Sequence, residues 1–124
     1  TALPKKGRHS VGVAPQYASV LGKNANCQTL VSVNLARREV PVMVGLRLFL
    51  PETWTGDPER LARARVPEEH WIPRTKPEIA LEEIDRVRTA GVRFGCVLAD
   101  AGHGRSAPFR QALSERGLRW AVGI

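Results

Sequence analysis

The stretch Val92-Arg93-Phe94-Gly95-Cys96-Val97-Leu98-Ala99-Asp100-Ala101-Gly102-His103-Gly104 decides how the rest of the sequence is read. Val92 to Leu98 is a short β-prone run that closes on an acidic residue, and the glycines after it turn the chain toward a helix. Ser106 and Pro108 open that helix, Phe109, Ala112 and Leu113 form its inner face, and Gly117 closes it. Leu118 to Ile124 is then a further strand. On the other side, Thr75-Lys76-Pro77-Glu78 has the form of a capping box, and Ala80, Leu81, Ile84 and Val87 recur at helical spacing until Gly91. Residues 77–124 therefore read as αβαβ.

Farther upstream the period changes. Thr29, Val31, Val33 and Leu35 alternate with Leu30, Ser32 and Asn34, and a second β-rich run, Val40 to Leu50, follows the polar turn Ala36-Arg37-Arg38-Glu39. Residues 27–50 thus read as an antiparallel hairpin, with Pro41 confined to a strand start or an edge. Residues 51–76 form a proline-rich connection, in which Asp57 caps a short helix over residues 58–64. Residues 1–26, rich in Gly, Pro, Lys, Ser and Asn, show no stable period and read as an irregular loop. A hairpin feeding βα units predicts an α/β fold: a mixed sheet with helices packed on it, in one domain spanning residues 1–124.

Composition supports a globular chain. Its 124 residues are 43% hydrophobic and 25% charged, close to the globular average. No apolar run approaches the ~18 residues of a membrane span, and no signal-peptide pattern opens the chain. Cys27 and Cys96 are too few for a disulfide framework or a four-thiolate metal site, and both fall in strands, where core positions are expected. A reducing intracellular setting is expected. The chain opens at Thr1, has its only methionine at Met43 and stops on apolar Trp120-Ala121-Val122-Gly123-Ile124, so a piece of a longer protein is also expected.

The net charge of +7 is concentrated at one end. Residues 1–38 carry Lys5, Lys6, Arg8, Lys23, Arg37 and Arg38 and no acid, while the other 13 Lys/Arg are balanced by all 12 Asp/Glu. Such a segment suits a polyanion, nucleic acid first, or is simply a solvated basic face. Asp100 stands at the carboxyl end of a strand, where open α/β sheets gather ligands. Its carboxylate can hold a divalent metal, act as a base, or merely cap the following turn. His103 is placed to support Asp100 or to sit as an exposed loop histidine, and Gly102 and Gly104 permit close backbone approach. His9 and His70 show no metal-ligand spacing. Trp120 is expected in the core, and Trp54 and Trp71 are expected to pack the connection onto the body.

Several stretches together resemble a known family. Lys5-Lys6-Gly7, Ser10-Val11-Gly12-Val13, Gln16-Tyr17, Gly22-Lys23 and Asn26-Cys27-Gln28 look like the segment after the first catalytic aspartate of bacterial insertion-sequence transposases. These are DDE-superfamily enzymes with a ribonuclease-H-like catalytic domain. Leu48-Phe49-Leu50-Pro51-Glu52-Thr53-Trp54, Arg74-Thr75-Lys76-Pro77-Glu78 and Ala99-Asp100-Ala101-Gly102 fit the same family in the same order.

The resemblance implies a partial ribonuclease-H-like fold and an enzyme that uses Mg²⁺ (or Mn²⁺) to cut and join DNA. In that chemistry two ions about 3.5–4 Å apart clamp the attacking and leaving oxygens. Two Asp and one Glu hold them. Asp100 corresponds to the second Asp, and so is both the catalytic and the metal-binding residue implied here. The first Asp is expected just upstream of Thr1 and the Glu beyond Ile124, with Glu115 no substitute, so residues 1–124 alone are expected to be inactive. Lys5, Lys6, Arg8 and Lys23 are the expected DNA contacts, and His103 a second-layer residue where the family generally has tyrosine. The implied partners are transposon ends and target DNA, with a homodimer left open. The implied location is the bacterial cytoplasm, in association with the nucleoid. Two other readings stay open: a non-catalytic nucleic-acid-binding remnant, and a nucleotide- or phosphate-binding α/β domain using Gly102 and Gly104.

Overall fold

A computed structural model describes every residue from Thr1 to Ile124. The elements follow in the order β1 (Ala2–Pro4), β2 (Ala14–Ala18), β3 (Lys23–Arg37), β4 (Val40–Phe49), α1 (Glu52–Thr55), α2 (Pro58–Arg63), a 3-10 turn (Glu68–His70), α3 (Lys76–Thr89), β5 (Cys96–Ala99), α4 (Ala101–Gly104), α5 (Ala107–Glu115) and β6 (Arg119–Val122). The fold is α/β, with antiparallel and parallel strands and five α-helices in a partial ribonuclease-H-like arrangement. The strands divide between two sheets, β1 to β4 in one and β5 with β6 in the other. The chain forms two compact units, Thr1–Ser32 with Leu46–Thr75, and Val33–Gly45 with Lys76–Ile124.

In the first unit, β3 is the shared strand. β1 pairs antiparallel along one edge, with Ala2 opposite Thr29, and β2 along the other, with Ala14 opposite Cys27. Residues 1–26 are therefore not all irregular, contrary to their composition. Pro4 and Pro15 mask the two short strands in the sequence, yet both sit on outer strands, where a missing N–H is tolerated. Ala2, Ala18 and Cys27 are buried together against Ala25.

A larger cluster of Val13, Trp54 and Leu61 is covered by Val11, Leu50, Ala64, Val66 and Trp71. Trp54 is 1% exposed, and its indole N–H donates to the Val13 carbonyl at 2.8 Å, so the ring is buried without an orphaned donor. Arg60 lies over the Trp54 ring at 3.8 Å and donates to the Arg8 carbonyl at 2.7 Å. Asp57 caps α2 as expected, accepting from the Arg60 amide. Trp71 donates to the Val66 carbonyl, so both tryptophans of the connection pack it down.

In the second unit, α3 buries Ile79, Ala80, Ile84 and Val87, and α5 buries Phe109 and Leu113. The two helices are tied by Arg116, whose guanidinium donates to both oxygens of Asp85 at 2.7 and 2.8 Å. β5 and β6 run parallel, Cys96 opposite Arg119 and Ala99 opposite Val122. β5 begins only at Cys96, because Val92 to Gly95 find no strand partner in this pair. Cys96 and Trp120, expected in the core, are exposed, Trp120 at 37%. A pair of four-residue strands is too small to have both faces covered. Trp120 instead donates its indole N–H to the Ser114 hydroxyl.

Two stability outcomes follow from this packing. Trp54→Ala should cost about 3–5 kcal/mol, the range for deleting a buried aromatic ring, measured by urea unfolding. Asp85→Asn should act mainly on the acid side. The Arg116 hydrogen bonds hold the Asp85 carboxyl below its usual value of 3.8, so the folded state binds fewer protons than the unfolded chain as pH falls. That contribution is complete above the unfolded value and disappears as pH drops through the folded one. Asp85 is half exposed and the pair is screened, so the gap between wild type and Asp85→Asn should be only about 0.5–1 kcal/mol at pH 7 and should close toward pH 2.

Candidate functional site

Asp100 follows the last residue of β5 and is the N-cap of α4, its carboxylate oxygen accepting from the His103 amide at 3.3 Å. The His103 ring folds back over the same turn, with Nδ1 3.4 Å from Asp100 Oδ1. The Asp100 side chain is nevertheless 82% exposed, against 26% for His103. The His103 contact, and then the backbone amides of His103 and Gly102, hold the carboxyl below its ordinary range against a smaller opposing effect of burial. An ionised carboxylate facing solvent is the outcome.

Close backbone approach fixes this turn. A Cβ on Gly104 would strike the Gly123 carbonyl and come within 2.8 Å of Val122 Cβ, because the end of β6 lies directly against α4. Arg110 donates to the Gly104 carbonyl, and the Gly123 amide donates to the Ala99 carbonyl, holding the same crossing from both sides. Gly104 thus makes room for the chain's own backbone. A Cβ on Gly102 would stand 3.1 Å from Asp100 Oδ1 and crowd the carboxylate. The sequence singled out Gly102 and Gly104 but gave no sign that Gly123 was their counterpart, because the contact spans nineteen positions of chain.

His103 packs its ring beside Phe109, centroids 5.8 Å apart, and its Nε2 is buried without a hydrogen-bond partner. An ionised Asp100 can only accept, so the 3.4 Å contact is a hydrogen bond in the tautomer that carries its proton on Nδ1. As a test of fit to a divalent metal, the donor set is one exposed, ionised carboxylate kept open by Gly102, which suits a hard cation bound to oxygen. No group of three His, Cys, Asp or Glu side chains comes together. Residues 1–124 thus bring together no complete donor set for a metal ion. Glu115 is exposed on α5, and His70 Nε2 lies 3.4 Å from Glu69 Oε1.

The basic residues lie in the other unit. Lys5, Lys6, Arg8 and Lys23 are all exposed, the first three on a segment held against β3. Asn26 Nδ2 donates to the Lys5 and Gly7 carbonyls at 2.9 and 2.8 Å, and the Lys5 amide donates back to the Asn26 carbonyl. Gln28 Nε2 donates to the Val11 carbonyl at 2.6 Å, and Gln16 Nε2 to the Cys27 carbonyl at 2.9 Å. The amides Asn26, Gln28 and Gln16 therefore shape the segment that carries the cations. They were visible in the sequence as motif residues, but their task was not, because it rests on pairing with β1 and β2.

Two comparisons, with curated proteins and with solved structures, return no match. A third does: the family model described as DDE superfamily endonuclease matches residues 1–124, the whole chain. The matched range takes in the cation-bearing segment, the hairpin and the Asp100 turn, and this chain belongs to the DDE superfamily endonucleases.

Proposed function

We propose that residues 1–124 form part of a transposase catalytic core in which Asp100 is a metal-binding carboxylate and the segment around Lys5, Lys6, Arg8 and Lys23 follows the DNA backbone. Family membership supports nuclease- or transposase-type chemistry on DNA. The observation that carries the finer reading is the Asp100 turn: an exposed, ionised carboxylate at the end of a parallel strand, with its approach kept clear by Gly102. The phosphate-binding alternative loses support because the open side of Gly104 is filled by Gly123.

On this reading Asp100 would hold Mg²⁺ or Mn²⁺ together with two carboxylates outside residues 1–124. Bound there, the ions supply charge stabilisation for phosphodiester cleavage and a lowered pKa for the attacking water. His103 acts on Asp100 itself: its Nδ1 faces Oδ1, favours the ionised carboxylate and orients it. The cationic segment binds phosphates without reading bases. Transposon ends and target DNA are the proposed partners. The proposed location is the cytoplasm at the nucleoid, and no helix is long and apolar enough to cross a membrane.

In a longer chain with all three carboxylates, Asp100→Asn should abolish Mg²⁺-dependent strand cleavage while leaving DNA affinity and thermal midpoint nearly unchanged. The amide still accepts from the His103 backbone but has lost the charge that retains a hard cation. Residues 1–124 alone should bind Mg²⁺ weakly and nick no plasmid. Cleavage that survives in Asp100→Asn, or nicking by residues 1–124, would remove Asp100 from the assignment.

The DNA reading has its own measurement. Duplex affinity should fall steeply with salt, and replacing Lys5, Lys6, Arg8 and Lys23 by alanine should flatten the log–log slope by up to ~3–4, about 0.9 for each phosphate released. An unchanged slope would make the segment a solvated surface only.

A further inference from the structure

β3 and β4 do more than complete a sheet. β1 reaches along β3 only as far as Thr29 and β2 only as far as Cys27. Past Thr29, β3 has β4 as its only strand partner, and the two form a ribbon that ends at the turn Arg38-Glu39. At its end the ribbon is exposed on both faces. Val40, Val42 and Met43 are 65%, 55% and 56% exposed, and successive positions of a strand point to opposite sides. Asn34, Ala36, Arg37 and Arg38 are exposed beside them. The base of the ribbon is fixed by contrast: Arg86 of α3 donates to the Val44 carbonyl at 2.7 Å and is itself held by buried Glu83 at 2.8 and 2.9 Å. Gly45 leaves the space for that carboxylate, since a Cβ there would lie 2.8 Å from Glu83 Oε2.

The turn carries a second signal. Arg38 has φ +58°, a left-handed conformation that glycine or asparagine adopts at less cost in a tight hairpin turn. An arginine kept there places two adjacent cations, Arg37 and Arg38, at the extremity of an apolar ribbon whose tip has Glu39 as its one acid. Two such tips would repel each other, whereas a polyanion fits both the charge and the shape. The major groove of duplex DNA admits a two-stranded β-ribbon, and the thymine methyl is the apolar feature it presents there.

We propose that the free end of this ribbon, residues 34–43, is a DNA contact in its own right, entering the major groove with Arg37 and Arg38 on flanking phosphates and Val40 and Val42, which share one face of β4, against thymine methyls. The proposal rests on the reading of this chain as acting on DNA, and it adds a surface that can discriminate among bases to one that binds only phosphates.

The test compares residues 1–124 on two duplexes of equal length and charge, dA·dT and dA·dU, which differ by the thymine methyl groups. Wild type should bind the dA·dT duplex several-fold more tightly, about fourfold for each methyl buried. Val40→Ser with Val42→Ser should bring that ratio to one without changing the salt slope. Arg37→Ala with Arg38→Ala should flatten the slope by up to ~1.8 and leave the ratio in place. The wild-type comparison needs no variant, so it stands even if a substitution impairs folding. Equal affinity of wild type for the two duplexes would overturn the proposal while leaving the phosphate-binding reading intact. A variant that loses self-association in sedimentation velocity while keeping the dA·dT preference would also overturn it, by making the ribbon a contact between copies. Failure of wild type to bind either duplex would remove both the proposal and the reading beneath it.

Discussion

Fifteen residues of extended backbone, Lys23–Arg37, must find partners for their N–H and C=O groups, and the rest of the first unit is arranged around that need. At one end β3 has a neighbour on each side, and its side chains Cys27 and Thr29 are buried there. Farther along it has β4 alone, and burial declines toward the tip until the strand is covered on neither face. The same strand therefore supplies a core at one end and a projecting ribbon at the other. Position along the ribbon, rather than any change of residue type, separates the two: Val31 is 4% exposed, and the equally apolar Val40 at the tip of the partner strand is 65% exposed.

The Asp100 turn obeys a different constraint. There the issue is backbone volume. β6 returns alongside β5 in parallel register and runs into the turn that leaves β5, so two segments of main chain compete for one place. Gly104 and Gly123 resolve the competition by having no Cβ, and the Gly123 amide still finds the Ala99 carbonyl. Asp100 gains a fixed position from this crossing without being buried by it. A carboxylate that is both held and solvated keeps its charge cheaply, because the His103 contact and the backbone amides together outweigh desolvation. Buried Glu83 shows the contrast: it needs the Arg86 guanidinium directly on its oxygen.

These two constraints explain what the sequence could and could not disclose. α3, α5 and α2 were legible almost to the residue, because caps, helical period and closing glycines are local signals: Asp57 and Ser106 do cap, and α3 ends before Gly91. The hairpin was legible from alternation, and Asp100 from its place between a strand and a glycine turn. β1 and β2 were not, since three- and five-residue strands with prolines acquire their identity only from β3. Exposure of Cys96 and Trp120 was hidden for a related reason: an apolar strand is a core strand only when something covers it. Gly123 and the amides Asn26 and Gln28 depend on partners distant along the chain, for which residue type alone gives no signal.

His103 divides one ring between two surroundings. Its plane is fixed beside Phe109, with ring centroids 5.8 Å apart. The imidazole Nδ1 lies next to the ring's attachment point, within 3.4 Å of a carboxylate three residues earlier, so this polar atom turns inward onto Asp100. The far nitrogen, Nε2, is buried without a partner. The side-chain contact from His103 is the largest of the effects that hold the Asp100 carboxyl below its ordinary range, and it acts within a single turn of helix.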